Sequence, residues 1–596
     1  MKTALFLCVI LASAAAAQDG AAVFEKHCAL CHRAGSETRA PLRDALAQLS
    51  RQRILASLAT GTMKEAAAAL TAADRRAVTE FLSKIDNPDE KVSTGACPAP
   101  APAIKDLAGW NGWGVDLANS RFQPAKTAGL ARDDVPRLKL KWAFGFPNAN
   151  AASAQPAVAA GRVFVGGGDG SVFALDARSG CTYWSFKAAA MVRTAISLGA
   201  AGKGRYAACF GDQQGNVYAL DAQTGALLWK TRVEDHPWTR LTGSPVFHAG
   251  RLYVPVSSHE EVPAGTPTYQ CCTFRGSVVA LDASTGKQLW KTYTIPDPPK
   301  PTKLNTAGTQ MHGPAGAAIW SAPTLDPQRK VLYVATGNSY TEPDAGYSDA
   351  IIALDMDSGS MLWVKQVTPN DTWNFSCASP NRASCADTPG PDFDFGSSPM
   401  LRSLPGGKSL LVVGQKSGIV HALDPDEKGK IVWQTRVGRG GMLGGIEFGT
   451  AADDQAAYVA LSDQNRRQPE LSGGMFALRI ATGEKIWHTP PPKPPCLGKP
   501  GCTPAQQAAV TLIPGVAFSG SMDGHLRAFD ATDGTIVWDF DTLADFPTVN
   551  GVKARGGSLN GAGPAVAAGM LFVNSGYGIL GGIPGNVLLA FSVDGK

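Results

Sequence analysis

The chain has 596 residues with 44% hydrophobic and 18% charged, enough for several domains and a sizeable core, which excludes a mini-protein. Lys and Arg number 55 against 50 Asp and Glu, a formal +5 spread without a basic block, so no nucleic-acid partner is expected. The 66 glycines and 41 prolines exceed what a helical protein tolerates and predict many short strands and turns.

In chain order, residues 1–17 carry Lys2, an apolar run over 4–12 and small residues up to Gln18, the pattern of a cleaved signal peptide. The run is too short to span a bilayer, and no later segment is long enough, so no membrane span is expected. Export, here to the periplasm, places the eleven cysteines beyond Cys8 in an oxidising compartment, where they form disulfides or hold cofactors.

Cys28-Ala29-Leu30-Cys31-His32 is a C-x-x-C-H motif. Its spacing lets two thiols bond to haem vinyls while the adjoining imidazole of His32 reaches the iron, and no second CxxC completes a zinc site. Met63, 31 residues beyond His32, is the candidate second axial ligand, its thioether raising the potential. Residues 71–85 follow as an amphipathic helix with Val78, Phe81, Leu82 and Ile85 on one face. The segment resembles a small class I cytochrome c, assigned to residues 18–90. Residues 91–106 are rich in Pro and Ala and predict a stiffened linker.

From Gly170 the chain repeats itself. GSVFALDARSGCTYW ends at Trp184, GNVYALDAQTGALLW at Trp229 and GSVVALDASTGKQLW at Trp290, with further copies to Trp363, Trp433, Trp487 and Trp538. Each is a strand, a Gly-containing turn and a Trp-bearing strand, one propeller hairpin. An eighth copy over 585–596 stops after its turn, while residues 138–144 supply a Trp142-bearing strand with no hairpin before it. Joining the two closes an all-β, eight-bladed propeller over 107–596, preceded by the small all-α cytochrome domain. The spacing between these tryptophans rises from 45 residues to 73 and 70 between Trp229 and Trp433, so insertions there are expected as functional loops on one face.

The A-L-D-x-x-T-G-x-x-x-W signature resembles the alcohol dehydrogenases that depend on pyrroloquinoline quinone (PQQ). That resemblance implies a flat quinone held between a vicinal disulfide, here Cys271–Cys272, and a tryptophan, here Trp320. It implies a calcium ion on Asn338 and on Glu261 or its neighbour Glu260, a basic contact to the quinone carbonyl from Lys416, and contacts to the cofactor carboxylates from Arg193 and Thr242. A hard cation suits carboxylate and amide oxygens and polarises the carbonyl. The family's catalytic aspartate ends a D-x-W-D motif, but Asp371-Thr372-Trp373-Asn374 ends in asparagine. An amide cannot take a substrate proton near neutral pH, which leaves Asp371, Glu261, Asp392 or Asp394 as the base, or a chain that is not an alcohol dehydrogenase. Cys377 with Cys385 and Cys496 with Cys502 are close enough to staple loops, and Cys181 with Cys209 could tie adjacent units, leaving Cys97 over.

The N-terminal cytochrome, the Cys271-Cys272 placement, the DFDFGS segment over 392–397 and GGSLNGAG over 556–563 resemble the polyvinyl alcohol dehydrogenases within that family. This implies oxidation of secondary hydroxyls to ketones, with electrons passing from PQQ to haem c and then to a cytochrome c or another periplasmic acceptor. A dehydrogenase of small alcohols, or a non-catalytic propeller scaffold, are the competing readings.

Overall fold

The computed structural model describes residues 19–33, 40–59, 63–64, 66–85, 95–202, 204–465, 468–579 and 581–596; the signal peptide expected over 1–17 lies outside them. The N-terminal domain comprises helices Gly20–His27, Ala29–His32, Arg43–Leu46, Arg51–Ala59 and Ala72–Leu82. They enclose Val23, Phe24, Ile54, Leu58, Leu70, Val78 and Leu82. First and last helices cross at Gly20, where a Cβ would stand 2.1 Å from the carbonyl oxygen of Ala77, so only glycine fits. The last helix starts on a Thr71–Asp74 capping box, as its sequence signals. It stops at Leu82 because Ser83 turns extended, so Ile85, expected on the buried face, is exposed.

Eight four-stranded antiparallel sheets follow, the first and third carrying an added strand. Strand Leu138–Gly145 pairs with the C-terminal strand Val587–Val593, closing the ring as the two sequence fragments predicted. In strand Arg162–Gly166, Val163 and Val165 pack towards Phe144 and Phe572 of one neighbouring blade, while Phe164 packs towards Phe210 and Tyr218 of the other. Both faces of each sheet are buried, so the strands read as apolar runs without alternation.

The repeat signature has a physical reading at the outer edge. Seven tryptophans donate Nε1–H to a turn or flanking carbonyl of the adjacent blade: Trp142 to Ala177, Trp184 to Ala222, Trp229 to Ala283, Trp290 to Met356, Trp433 to Ile480, Trp487 to Ala531 and Trp538 to Leu138, at 2.8–3.3 Å. The turn glycine lies under the ring. At Gly180, with φ +74°, a Cβ would meet Trp142 at 2.8 Å, so glycine meets both the backbone and the packing requirement. Trp363 differs. Its facing turn, Asp424 to Gly429, is one residue longer than Asp221 to Gly225, and Gly429 meets the Cζ3 edge of the ring.

Disulfides join Cys97–Cys181, Cys271–Cys272, Cys377–Cys385 and Cys496–Cys502. The Cys181–Cys209 pairing is therefore corrected. Residues 95–97 add to the edge of the first blade, with Cys97 N–H on the Thr182 carbonyl, which brings Cys97 to Cys181. Cys209 sits fully buried within strand Tyr206–Gly211, and burial raises its thiol to about 12.

Because successive strands are antiparallel, hairpin loops between second and third strands share one end of the ring with the connections between blades. The insertions at 259–276, 294–323, 336–349 and 367–399 all fall at that end.

Candidate active site and haem centre

In the N-terminal domain Cys28 packs into the same core as Met63. His32 is buried, and its Nδ1 lies 2.7 Å from the Pro41 carbonyl oxygen. A carbonyl only accepts, so Nδ1 carries the proton and Nε2 keeps its lone pair for a metal. Burial, opposed by that hydrogen bond, pushes the imidazole pKa down, so the ring is neutral as a ligand must be. Burial and the neighbouring Cys31 push the Cys28 thiol up.

On the insertion-bearing end of the propeller, Trp320 is the most constrained aromatic. A Cβ on Gly396 would fall 2.0 Å from its Cη2, and one on Gly337 would fall 2.7 Å from Asp394 Oδ1 and 3.4 Å from Trp320 Nε1. Bare backbone at both positions lets indole and carboxylate approach. Asp394 accepts from the Asn338 N–H at 2.6 Å and meets Lys416 Nζ at 3.1 Å, while the same ammonium reaches Asp392 at 3.0 Å. Lys416 is 1% exposed, and a cation that deep needs such partners. Both Nδ2 hydrogens of Asn338 go to the carbonyls of Ser339 and Trp373, at 2.9 and 2.7 Å, which fixes the direction of its Oδ1.

Phe448 lies edge-on to Trp320, ring centres 5.5 Å apart, and Arg193 stacks on Phe448 at 5.1 Å and on Tyr577 at 5.5 Å. Arg193 Nη2 is buried without a hydrogen-bond acceptor among the described residues, a donor set for an anion. Thr242 neighbours Ser257 at 3.4 Å, and the next residue, Gly243, approaches the Ser321 carbonyl beside Trp320. Arg240 was missed by sequence reasoning. It is buried, donates to the Thr239 carbonyl at 2.8 Å, and burial lowers its guanidinium to about 10. The available signal was parallel placement, Arg193 and Arg240 each preceding a serine by four residues in consecutive blade connections.

The two adjacent glutamates separate. Glu260 accepts from the N–H groups of Thr273 and Phe274 and from the Tyr269 hydroxyl, so it holds the loop behind the disulfide. Glu261 is buried beside Tyr340, whose phenol is raised first by burial and then by the charge of Glu261. Cys271 and Cys272 are fully buried among Val256, Phe274, Met311, Ala318 and Tyr340. Of the two expected quinone faces, the disulfide is fully buried and the indole half-buried.

The D-x-W-N motif is tied into backbone hydrogen bonds. Asp371 accepts from the N–H groups of Asp392 and Phe393 at 2.9 and 2.6 Å, and burial, against those donors, raises its pKa. Asn374 gives both amide hydrogens to the Tyr340 and Ser384 carbonyls at 2.9 Å and accepts from Ser376 N–H, capping the turn Phe375–Ala378. The two residues clamp the ends of an insertion stapled by Cys377–Cys385, and the chain leaving that insertion delivers Asp394 to Lys416. Beneath lies Asp349, fully buried, with neither carboxylate oxygen hydrogen-bonded among the described residues. Burial, then Asp371, Asp394 and Asp392, hold its pKa well above the usual carboxylate range.

The donor set fits a flat, anionic redox cofactor: a half-buried indole, an arginine whose buried Nη2 has no acceptor among the described residues, and a lysine between carboxylates. The comparisons agree. A family described as the glucose/ethanol/alcohol dehydrogenase β-propeller domain matches residues 110–387, and one described as cytochrome c oxidase, cbb3-type, subunit III matches 15–82. The polyvinylalcohol dehydrogenase of a Pseudomonas species is 44% identical over all of this chain and 97% of its own, and that of Sphingopyxis sp. (strain 113P3) 41% over 97% and 93%. The solved quinohaemoprotein alcohol dehydrogenase ADHIIG of Pseudomonas putida HK5 shares the fold, with TM-score 0.61 and 18% identity over 84% of this chain and 83% of that one. PQQ and haem c are thus the cofactors the two domains are built for, and among the described residues no helix is long and apolar enough to cross a membrane. With its cytochrome ahead of a closed eight-bladed ring, the chain belongs to the polyvinyl alcohol dehydrogenase family of PQQ-dependent quinohaemoprotein alcohol dehydrogenases.

Proposed function

We propose that this protein works in the periplasm, oxidising secondary hydroxyls of polyvinyl alcohol to ketones and handing the electrons to an external cytochrome c or a similar acceptor. The observation that carries the reading is the placement of Asp394, tied to Asn338 N–H and Lys416 and sharing with the Nε1 edge of Trp320 the space over Gly337. Trp320 supplies the platform for PQQ, Arg193, Arg240 and Thr242 receive its carboxylates, and Lys416 stands at its reactive edge. Calcium binds Glu261 and the fixed Oδ1 of Asn338; Glu260 is spent on the Thr273 loop. Cys28 and Cys31 would hold the haem covalently, and His32 and Met63 would ligate its iron. When bound, PQQ with calcium would supply a polarised hydride acceptor, and the haem would supply a one-electron acceptor.

The chain's own part is proton handling and orientation. Asp394 takes the hydroxyl proton, replacing the aspartate that the family places where Asn374 stands. Lys416 keeps Asp394 ionised and aimed, since an adjacent ammonium favours the carboxylate form. Asp371 and Asn374 hold the insertion that brings Asp394 into place. Asp394→Asn is expected to lower kcat by about 10²–10⁴-fold with PQQ and haem content unchanged. Retention of most of the activity would remove Asp394 from the role. Steady-state oxidation of the polymer against short secondary alcohols tests the substrate, and activity on the short alcohols alone would replace the polymer reading.

A further inference from the structure

The cytochrome domain touches the propeller through a small set of directional contacts. Asn150 Nδ2 donates to the Ala45 carbonyl at 2.9 Å, and Ser50 N–H donates to Asn148 Oδ1 at 3.3 Å. Arg53, on helix Arg51–Ala59, forks: Nη1 donates to the Asn148 carbonyl and Nη2 to the Gly168 carbonyl, each at 2.5 Å. Asn148 belongs to the connection after the closing strand and Gly168 to a hairpin loop of the first blade. One guanidinium therefore joins the haem domain to two separate loops. Burial lowers the Arg53 pKa while Asp169 opposes the shift, and Asp169 is itself engaged by Lys187 and Ser171.

These loops lie on the same end of the ring as Trp320. The contact also adjoins the cofactor pocket: Gly578 approaches Ala45, a Cβ there falling 3.1 Å from the Ala45 Cβ, and the preceding residue, Tyr577, stacks on Arg193.

We propose that Arg53 is a positioning residue, the latch that holds the haem domain in one fixed electron-accepting pose over the cofactor pocket. This rests on the quinone-to-haem reading above. The planar fork reaches the two carbonyls from two separate nitrogens in a fixed geometry, whereas a lysine would have to serve both loops from one nitrogen. Both acceptors are main-chain groups, and buried contacts of this kind are weakly screened by salt. Without the latch the domain stays leashed: eleven residues lie between Ile85 and Cys97, a reach of about 40 Å. Haem reduction then continues at high effective concentration but through many poses.

The test uses the full chain loaded with PQQ, calcium and haem, comparing wild type with Arg53→Ala, Arg53→Lys and, from the propeller side, Asn150→Ala. Dye-linked alcohol oxidation is expected to stay within about twofold of wild type, and stopped-flow haem reduction to slow roughly tenfold or more in Arg53→Ala, without rescue by lysine. Hydrogen exchange, measured without alcohol, is expected to accelerate at residues 45–53 and 148–150 in both alanine variants. Haem reduction at the wild-type rate in Arg53→Ala, or unaltered exchange, overturns the latch. A wild type that oxidises no alcohol overturns the function proposed above, and the exchange comparison then still decides whether Arg53 holds the domains together.

Discussion

The rim and the centre of the propeller handle polar groups in opposite ways. At the rim, indole N–H groups meet carbonyls of the next blade, and turn aspartates such as Asp221 and Asp282 accept from the amides and hydroxyls that follow them. At the centre, Arg193 Nη2 and both oxygens of Asp349 are buried without hydrogen bonds among the described residues, and Lys416 is shared between two carboxylates. Each orphaned buried group costs stability. A fold that satisfies its repeated seams and leaves its axis unsatisfied keeps stability at the edge and ligand chemistry in the middle.

The sharpest way to break this comparison is at the rim. Trp229→Ala removes a buried indole and its bond to the Ala283 carbonyl, and should cost about 3–5 kcal/mol in denaturant unfolding. Alcohol oxidation per folded molecule should be unaffected, and a specific loss of turnover would show that rim and centre are coupled. At the centre, Gly396→Ala forces a methyl against Trp320 and the Glu447 carbonyl, an overpacking cost of about 1–3 kcal/mol. Titration should show PQQ affinity falling while the haem spectrum is unchanged; unchanged affinity would remove Trp320 as the platform.

The smallest effect belongs to Asp349. Its folded pKa is raised by burial and neighbouring aspartates, so its contribution is fully present below the unfolded carboxylate pKa and is lost as pH rises towards the folded value. Asp349→Asn does not ionise. In cofactor-free protein its Tm advantage over wild type should widen from about pH 5 to about pH 8, and a constant gap would mean that Asp349 already carries its charge when folded.

The repeats made the architecture legible because each blade repeats one local requirement: a tryptophan over a turn glycine. Ring closure was equally readable from a strand lacking its hairpin and a hairpin lacking its strand. The haem motif is local too, five consecutive residues. What escaped was non-local. Cys181 pairs with Cys97, 84 residues away, because the linker adds to a sheet edge, and neighbouring strands gave no sign of it. Asn374 marked a departure, but the Tyr340 and Ser384 carbonyls that take its amide hydrogens cannot be read from the motif. The buried setting of Cys271–Cys272 depends on how Glu260 folds the loop after it, and no spacing records that. Arg53 stands in an unremarkable helix whose meaning comes only from carbonyls about a hundred residues downstream.

The lengthened turn opposite Trp363 has its own outcome. Asp426, inside that turn, takes both prongs of the Arg329 guanidinium across the boundary at 2.8 Å, and Arg329 holds its carboxyl below the usual range. Seven joints of the ring carry a neutral indole bond, indifferent to brine and to vinegar, some with an ion pair beside it such as Arg251–Asp357 and Arg402–Asp454. The eighth is riveted by opposite charges, with Asp426 more than half exposed, and it divides the blade bearing Asn338 from the blade bearing Lys416. Acidification or concentrated electrolyte therefore loosens this joint's charged rivet, while the indole bonds of the other joints persist.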